Sequence, residues 1–263
     1  VIPINGSFTG NVHHNPSEAI NQIQSGQHDI FVYGTSVRLC PDVPAPVFNV
    51  RCSLTSPGMA ANTARNLESL GLKVDLIAQV HPIKKTRYVD SKSNYTFLRV
   101  DEGERSVKRF QNDLITDKEI ANYRAVVISD YGKRFLSEAN IQRFCNNNPN
   151  VFLDTKKVLG DFCVNAKFIK INEPEFKAIQ RDIHIPSWTD KLIVTLGKRG
   201  CMHGRKFYPT EEVEIFDLCG AGDVFLAALT AKYLETNDID EALKYANKKS
   251  TETVTHKGVS VIT

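Results

Sequence analysis

The chain has 263 residues, 41% of them hydrophobic and 24% charged, with 33 basic and 30 acidic side chains for a formal net charge of +3. That balance gives no ground for a nucleic-acid or membrane partner, and a chain of this size buries a core without metal or disulfide staples. Six cysteines, Cys40, Cys52, Cys145, Cys163, Cys201 and Cys219, lie at wide, irregular spacings with no C-x-x-C pair. They read as reduced packing residues rather than zinc ligands or a redox motif. No apolar run reaches the roughly 20 residues of a membrane span. Residues 1–10 lack the basic start and long apolar stretch of a signal peptide, so a cytoplasmic protein is expected.

In chain order, residues 15–25 predict a helix, with Asn15 as cap, Pro16 in the first turn and Gly26 as stop. The pair His13-His14 is expected in a loop, because adjacent histidines point in different directions and no third ligand is near in sequence. Residues 30–56, rich in Val, Phe, Pro and Thr, predict extended ribbon. Residues 60–70 predict a helix with Ala60, Ala61, Ala64, Leu67 and Leu70 on one face, closed by Gly71. A strand over 74–80 follows, then a hairpin over 85–101 around the turn Ser91-Lys92-Ser93-Asn94.

Further strands are expected at 125–129, 151–154, 168–171, 192–195 and 212–216. Helices are expected after the cap Ser137, from near Pro174, over 224–234 and over 240–253. Short apolar strands alternating with helices predict an α/β fold with a mostly parallel sheet covered on both faces, as one domain over 1–263. The ribbons at 30–56 and 85–101 break that rhythm and predict a small β lid. Ligands of such sheets sit beyond the carboxyl ends of the strands.

The segment Asp217-Leu218-Cys219-Gly220-Ala221-Gly222-Asp223 leaves an expected strand and enters the apolar helix 224–234. Small residues let the backbone turn tightly, and the unpaired N–H groups of a helix start attract anions. Phosphoryl transfer needs such donors where charge gathers, and a carboxylate to take the proton of the attacking hydroxyl. Asp223 fits the base, with Gly220, Ala221 and Gly222 supplying the donors. The plain alternative is an Asp-capped helix after a glycine turn.

These residues resemble the late D-T-x-G-A-G-D signature of the ribokinase-like (PfkB) carbohydrate kinases. Three further segments match that family in order. The segment from Gly58 to Asn66 resembles its sugar-contacting G-G-A-A-N-x-A. Asn172-Glu173-Pro174-Glu175 resembles its N-x-x-E, which arranges Mg²⁺. Thr195-Leu196-Gly197-Lys198-Arg199-Gly200 resembles its T-x-G-x-x-G nucleotide segment.

Within the family the chain is most similar to the kinase domain acting on D-glycero-D-manno-heptose 7-phosphate. The similarity rests on Asp29 to Gly34, on Arg38-Leu39-Cys40-Pro41-Asp42-Val43-Pro44-Ala45-Pro46-Val47, on Lys85-Thr86-Arg87, on Leu98 to Asp101, on Ser129-Asp130-Tyr131-Gly132-Lys133 and on Asp154-Thr155-Lys156.

The resemblance implies a three-layer ribokinase-like sandwich with a β lid, and transfer of a phosphoryl group from MgATP to a sugar or sugar-phosphate hydroxyl. It places the acceptor at Asp29, Gly58, Asn62, Lys85, Arg87, Arg99, Asp130 and Lys133. The nucleotide falls at Lys156, Asn172, Thr195, Gly197, Gly200 and Asn247, and Mg²⁺ at Asn172 and Glu175. A homodimer through the lid is a further expectation. A ribose, fructose or nucleoside acceptor, or a scaffold that binds without turnover, stay open.

Three departures stand out. Gln24 to His28 replace the family's strand ending G-D before Asp29. Only His81 to Lys84 separate the expected strand at 74–80 from Lys85, a much shorter link than the family's. Met59 takes the place of the second sugar-site glycine.

Overall fold

The structure is a computed structural model that describes residues 1–4, 27–79, 83–180, 188–256 and 261–262. The helix expected over 15–25 and the pair His13-His14 lie outside the described residues. In chain order the elements are β1 (Ile2–Ile4), β2 (Gln27–Leu39), β3 (Pro46–Gly58), α1 (Met59–Ser69), β4 (Ile83–Asp90), β5 (Thr96–Glu102), α2 (Asp117–Asn122), β6 (Ala125–Asp130), α3 (Glu138–Asn147), β7 (Val151–Thr155), β8 (Phe168–Asn172), α4 (Glu173–Ile179), β9 (Leu192–Thr195), β10 (Cys201–His203), β11 (Lys206–Tyr208), α5 (Ala221–Thr236) and α6 (Ile239–Val254).

A seven-stranded sheet runs β1-β6-β7-β8-β9-β10-β11. Strands β6 to β9 are parallel, with β1 antiparallel at one edge and the β10–β11 hairpin antiparallel at the other. Both faces of the parallel strands are buried, so they read as apolar runs rather than as alternation. Ala125, Val127, Phe152 and Ile193 pack against α1, α5 and α6. Val126, Ile128, Leu153 and Ile169 face the opposite layer, with Ile141 and Phe144 of α3. This is the expected α/β three-layer sandwich.

Helix α5 lies between α1, α6 and the sheet. Residues 224–229 are at most 2% exposed, as an apolar-all-round helix demands. Thr116, Ser137 and Asn172 close reciprocal capping boxes at the starts of α2, α3 and α4, giving the first-turn amides acceptors.

The two ribbons form a separate four-stranded sheet, β3-β2-β4-β5, which is the lid. β2 pairs antiparallel with β3 and parallel with β4, and β4 pairs antiparallel with β5. The parallel register sets Asp29 beside Lys85 and Phe31 beside Arg87.

Two expected strands do not form. Over 74–79, Val74 makes one isolated bridge to Ile4, and the amides of Asp75 and Ile77 donate to the carbonyls of Pro3 and Val1. A three-residue β1 offers too little edge for a ladder. Over 212–216 there is no strand: Phe216 donates to the Val254 carbonyl at the end of α6. A helix end supplies single acceptors, not a row. Conversely, β10 and β11 are three residues each, too short for periodicity to announce.

Candidate active site

The turn into α5 gathers the chemistry. Gly220 caps the helix with φ +81°, a left-handed conformation that glycine adopts freely. Ala221, Gly222 and Asp223 form the first turn, whose amides have no intrahelical acceptor. Cys219 donates its amide to Asp217 Oδ1 at 2.9 Å, which fixes the approach to the turn. Its thiol is pushed up to about 12 by burial, so Cys219 is no nucleophile at neutral pH.

Asp223 is 3% exposed. Its Oδ2 accepts from Asn62 Nδ2 at 3.2 Å and its Oδ1 from the Tyr131 hydroxyl at 2.9 Å. Burial pushes its carboxyl up to about 6, against the opposing pull of those two hydrogen bonds. A carboxylate with that pKa is largely ionised at pH 7 and still basic enough to take a proton from a positioned hydroxyl. The family resemblance implied that Asn62 contacts the sugar. The structure places its amide on Asp223.

Tyr131 and Lys170 were not singled out in the sequence, yet both adjoin this turn. The Tyr131 ring lies under two ammonium groups, Lys85 Nζ at 5.5 Å and Lys156 Nζ at 5.4 Å from its centroid. Lys170 Nζ pairs with Asp154 Oδ2 at 2.7 Å, both side chains at most 7% exposed. A Cβ on Gly222 would stand 3.0 Å from that nitrogen, so glycine lets the turn settle onto a buried cation. The signal for Lys170 was available: a lysine inside the apolar strand Phe168-Ile169-Lys170-Ile171 has no place in a core without a task.

The acceptor-side candidates fall into distinct groups. Asp29 Oδ1 accepts from Arg87 Nη1 at 2.7 Å. A Cβ on Gly58 would lie 2.2 Å from Asp29 Oδ2, so glycine is the residue that makes room for this carboxylate. Arg99 is closed on Asp101 through two bonds of 2.7 Å. Asp130 accepts from Gly132 N at 3.1 Å, from Thr155 Oγ1 at 2.9 Å and from Lys157, and Lys133 pairs with Glu104. Lys85, 8% exposed, makes no ion pair among the described residues, and burial lowers its pKa. Of Lys85, Arg87 and Arg99, it is the one without a carboxylate partner among the described residues. Met59 keeps φ +53° without a glycine's freedom, a strained start for α1 beside the site.

On the nucleotide side, Thr195 ends β9 and Gly197 (φ +60°) opens a 3-10 turn into β10. Gly200 has φ +101°, and a Cβ there would meet the Tyr208 carbonyl at 2.1 Å. Asn247 donates to that carbonyl at 2.8 Å and lines a groove with Pro209, Thr210, Val213, Lys244 and Thr251. Asn172 and Glu175 form the capping box of α4, and Glu175 also pairs with Lys156. Among the described residues no group of three or more His, Cys, Asp or Glu side chains could cage a metal. Both Glu175 oxygens are taken up here, one by Asn172 N and the other by Asn172 Nδ2 and Lys156 Nζ.

The pfkB family of carbohydrate kinases matches residues 77–262. The bifunctional protein HldE of Coxiella burnetii is 27% identical over 284 residues, covering 89% of this chain and 60% of that protein. The HldE of Vibrio parahaemolyticus is 27% identical over 282 residues, covering 89% and 59%. The chain thus spans about 60% of the length of these relatives. Among solved structures, a ribokinase from Thermotoga maritima superposes with TM-score 0.67 at 17% identity, over 89% of this chain and 93% of that one. A nucleoside kinase from Methanocaldococcus jannaschii superposes with TM-score 0.62 at 15% identity, over 90% and 93%. These likenesses carry the ribokinase-like fold, and the family match, over most of the chain and including the Gly220 to Asp223 turn, assigns the protein to the PfkB carbohydrate kinases.

Proposed function

We propose that the protein transfers the γ-phosphoryl group of MgATP to a hydroxyl of a sugar phosphate, with heptose 7-phosphate as the acceptor. The observation that carries this is Asp223. A buried carboxylate, raised to about 6, stands in the first turn of α5 next to Gly222, which lies close over the Lys170 ammonium. Asp223 accepts the proton of the attacking hydroxyl. The Gly220, Ala221 and Gly222 backbone, with Lys170 beneath, stabilises the transferring phosphoryl oxygens. Asn62 and Tyr131 hold the Asp223 carboxylate in line.

Mg²⁺, when bound, would neutralise charge on the phosphates, and Asn172 and Glu175 would be the residues nearest to hold its waters. The adenosine occupies the groove at Asn247, and Thr195, Gly197, Gly200 and Lys156 flank the phosphate path. Asp29, Gly58, Lys85, Arg87, Arg99, Asp130 and Lys133 surround the acceptor, and Lys85 is the cation best placed for an acceptor phosphate. Support for the heptose acceptor comes from the Arg38 to Val47 and Ser129 to Lys133 segments and from the similarity to HldE.

The test is ATP consumption and product mass with Mg²⁺ over heptose 7-phosphate, fructose, ribose and adenosine. Phosphorylation of heptose 7-phosphate in preference to the others supports the proposal. Preference for another acceptor overturns the heptose assignment alone, and no turnover with any of them overturns the kinase assignment for this panel.

The lid exposes Val37 (82%), Leu39 (63%), Val50 (59%) and Leu54 (55%) on β2 and β3. A second copy of the chain covering these strands forms a homodimer. Replacing Val37 and Leu39 together by lysine should convert a dimer to a monomer in sedimentation. A wild-type monomer at micromolar concentration would sink this part of the proposal.

A further inference from the structure

A second cleft lies at the opposite end of the sheet from the Gly220 to Asp223 turn. Strands β7, β8 and β9 begin there, at Val151, Phe168 and Leu192, whereas Asn172 and Thr195 stand at carboxyl ends. Helices α3 and α5 end there, at Asn147 and Thr236. The cleft holds about 720 Å³, a volume that suits a small molecule. Tyr233 on its wall is ten residues beyond Asp223 on α5, about 15 Å along the helix.

Two half-buried lysines line this cleft. Lys167 and Lys191 immediately precede β8 and β9, and the Ile169 amide donates to the Lys191 carbonyl at 2.9 Å, so the two strand starts lie side by side. The Lys167 ammonium lies 5.4 Å from the centroid of the Tyr233 ring, and the Lys191 ammonium donates to the Val164 carbonyl. Neither makes an ion pair among the described residues. Against these two cations the described wall sets a single carboxylate, Asp190. A cleft with an excess of one sign of charge on low-dielectric walls concentrates ions of the other sign.

The neutral groups narrow the choice of anion. Asn165 Nδ2 donates to Asn146 Oδ1 at 2.9 Å, which leaves Asn146 Nδ2 as a further donor. His203 Nδ1 meets the Leu192 carbonyl at 3.0 Å. A carbonyl only accepts, so Nδ1 carries the proton and Nε2 is left for a ligand. The Phe168 ring holds that imidazole edge-on at 5.8 Å and meets Tyr233 at 5.0 Å. Two ammonium groups and an amide suit the several acceptor oxygens of a phosphate. Asp190 and the histidine suit hydroxyl groups on the body that carries it.

We propose that this cleft is a second ligand site, which binds a small phosphomonoester with its phosphate on Lys167 and Lys191 and its hydroxyls toward Asp190 and His203. The site goes beyond the kinase assignment and does not depend on it, because its lining residues and the turn into α5 stand at opposite ends of the sheet.

The experiment is calorimetric titration of inorganic phosphate, ribose 5-phosphate and AMP into wild type, Lys167→Met, Lys191→Met and Lys85→Met, each with Mg²⁺ and a non-hydrolysable ATP analogue in excess. Methionine keeps an aliphatic stem against Tyr233, so Lys167→Met should fold. At least one phosphomonoester should bind wild type more tightly than inorganic phosphate, and the tighter of the two tells a sugar phosphate from a nucleotide. That binding should weaken about tenfold in Lys167→Met and in Lys191→Met, for the loss of one charge-assisted bond, and stay as it was in Lys85→Met.

Binding weakened by Lys85→Met and untouched by the other two changes would place the ligand at the acceptor side and overturn the proposal. Inorganic phosphate binding as tightly as both esters would overturn the role given to Asp190 and His203. No binding of any of the three to wild type would overturn the site and leave the two lysines as partners of the carboxyl ends of α3 and α5. Failure of the kinase assignment would show separately, in turnover of the acceptor panel.

Discussion

At the start of α5, Asp223 is buried with only neutral side chains hydrogen-bonded to its carboxylate, whereas on the lid Arg87 is closed on Asp29 and Arg99 on Asp101. The difference follows from where each charge sits. Asp223 lies in the core, where Asn62 and Tyr131 hydrogen-bond to it, and its basicity rises because burial penalises the anion. The lid residues stand on a separate four-stranded sheet, where the β2–β4 pairing brings Arg87 to Asp29 and the two-residue repeat of β5 puts Arg99 and Asp101 on one face. A poised carboxylate thus belongs to the sandwich, and a pre-paired cationic surface to the lid. Lys85 is the point of contact, a lid residue whose ammonium lies over Tyr131, which in turn bonds Asp223.

The largest break in that comparison is Asp223→Asn. Loss of the general base should lower kcat about 10²–10⁴-fold, read in steady-state phosphorylation. Retention of more than a tenth of the rate would remove Asp223 from the chemistry. The same variant reports on stability. The folded carboxyl titrates at about 6 and the unfolded one near 3.8. The fold is therefore favoured by protonation of Asp223, and that contribution is lost as pH rises through 6. Relative to wild type, Asp223→Asn should gain roughly 3 kcal/mol in chemical denaturation between pH 4 and pH 7, at about 1.4 kcal/mol per pH unit.

Next in size is a contrast between two lid cations. Arg87→Met strands the Asp29 carboxylate and should cost about 3 kcal/mol of stability in denaturant melts. Lys85→Met removes a buried ammonium that makes no ion pair among the described residues, and should cost less than 1 kcal/mol while raising the KM of a phosphorylated acceptor. Equal losses of stability in the two would erase the distinction drawn here. The smallest expected effect is Met59→Gly, which should gain about 1 kcal/mol by relieving the left-handed backbone. A loss of stability would show that the Met59 side chain matters more to packing than its φ.

Much of the sandwich was legible because buried parallel strands such as β6, β7 and β8 are unbroken apolar runs and α5 is apolar on every side. The stretches 74–80 and 212–216 misled because an extended apolar pattern says nothing about whether a neighbouring edge exists. The Gly220 to Asp223 turn, proposed as the catalytic one, was legible as a contiguous motif. Its partners were not: Asn62 and Asp223 are 161 residues apart and Tyr131 and Asp223 are 92 apart, so only the fold brings them together. The pairing of Arg87 with Asp29 depended on strand register, which the ribbon pattern did not specify. The cleft that Lys167 and Lys191 line becomes visible only when β8 and β9 lie side by side.

The most direct measurement is the pH dependence of kcat/KM for phosphoryl transfer, in wild type and Tyr131→Phe, with the acceptor that the panel identifies. The groups facing Asp223 are Asn62, Tyr131, Asp154 and Lys170. Removing the Tyr131 hydroxyl takes away a bond that favours the carboxylate. The account predicts an acidic limb near pH 6 in wild type, displaced to higher pH in Tyr131→Phe. A rate that is flat from pH 5 to 8, or a limb that Tyr131→Phe leaves in place, would contradict Asp223 as the base held by Tyr131.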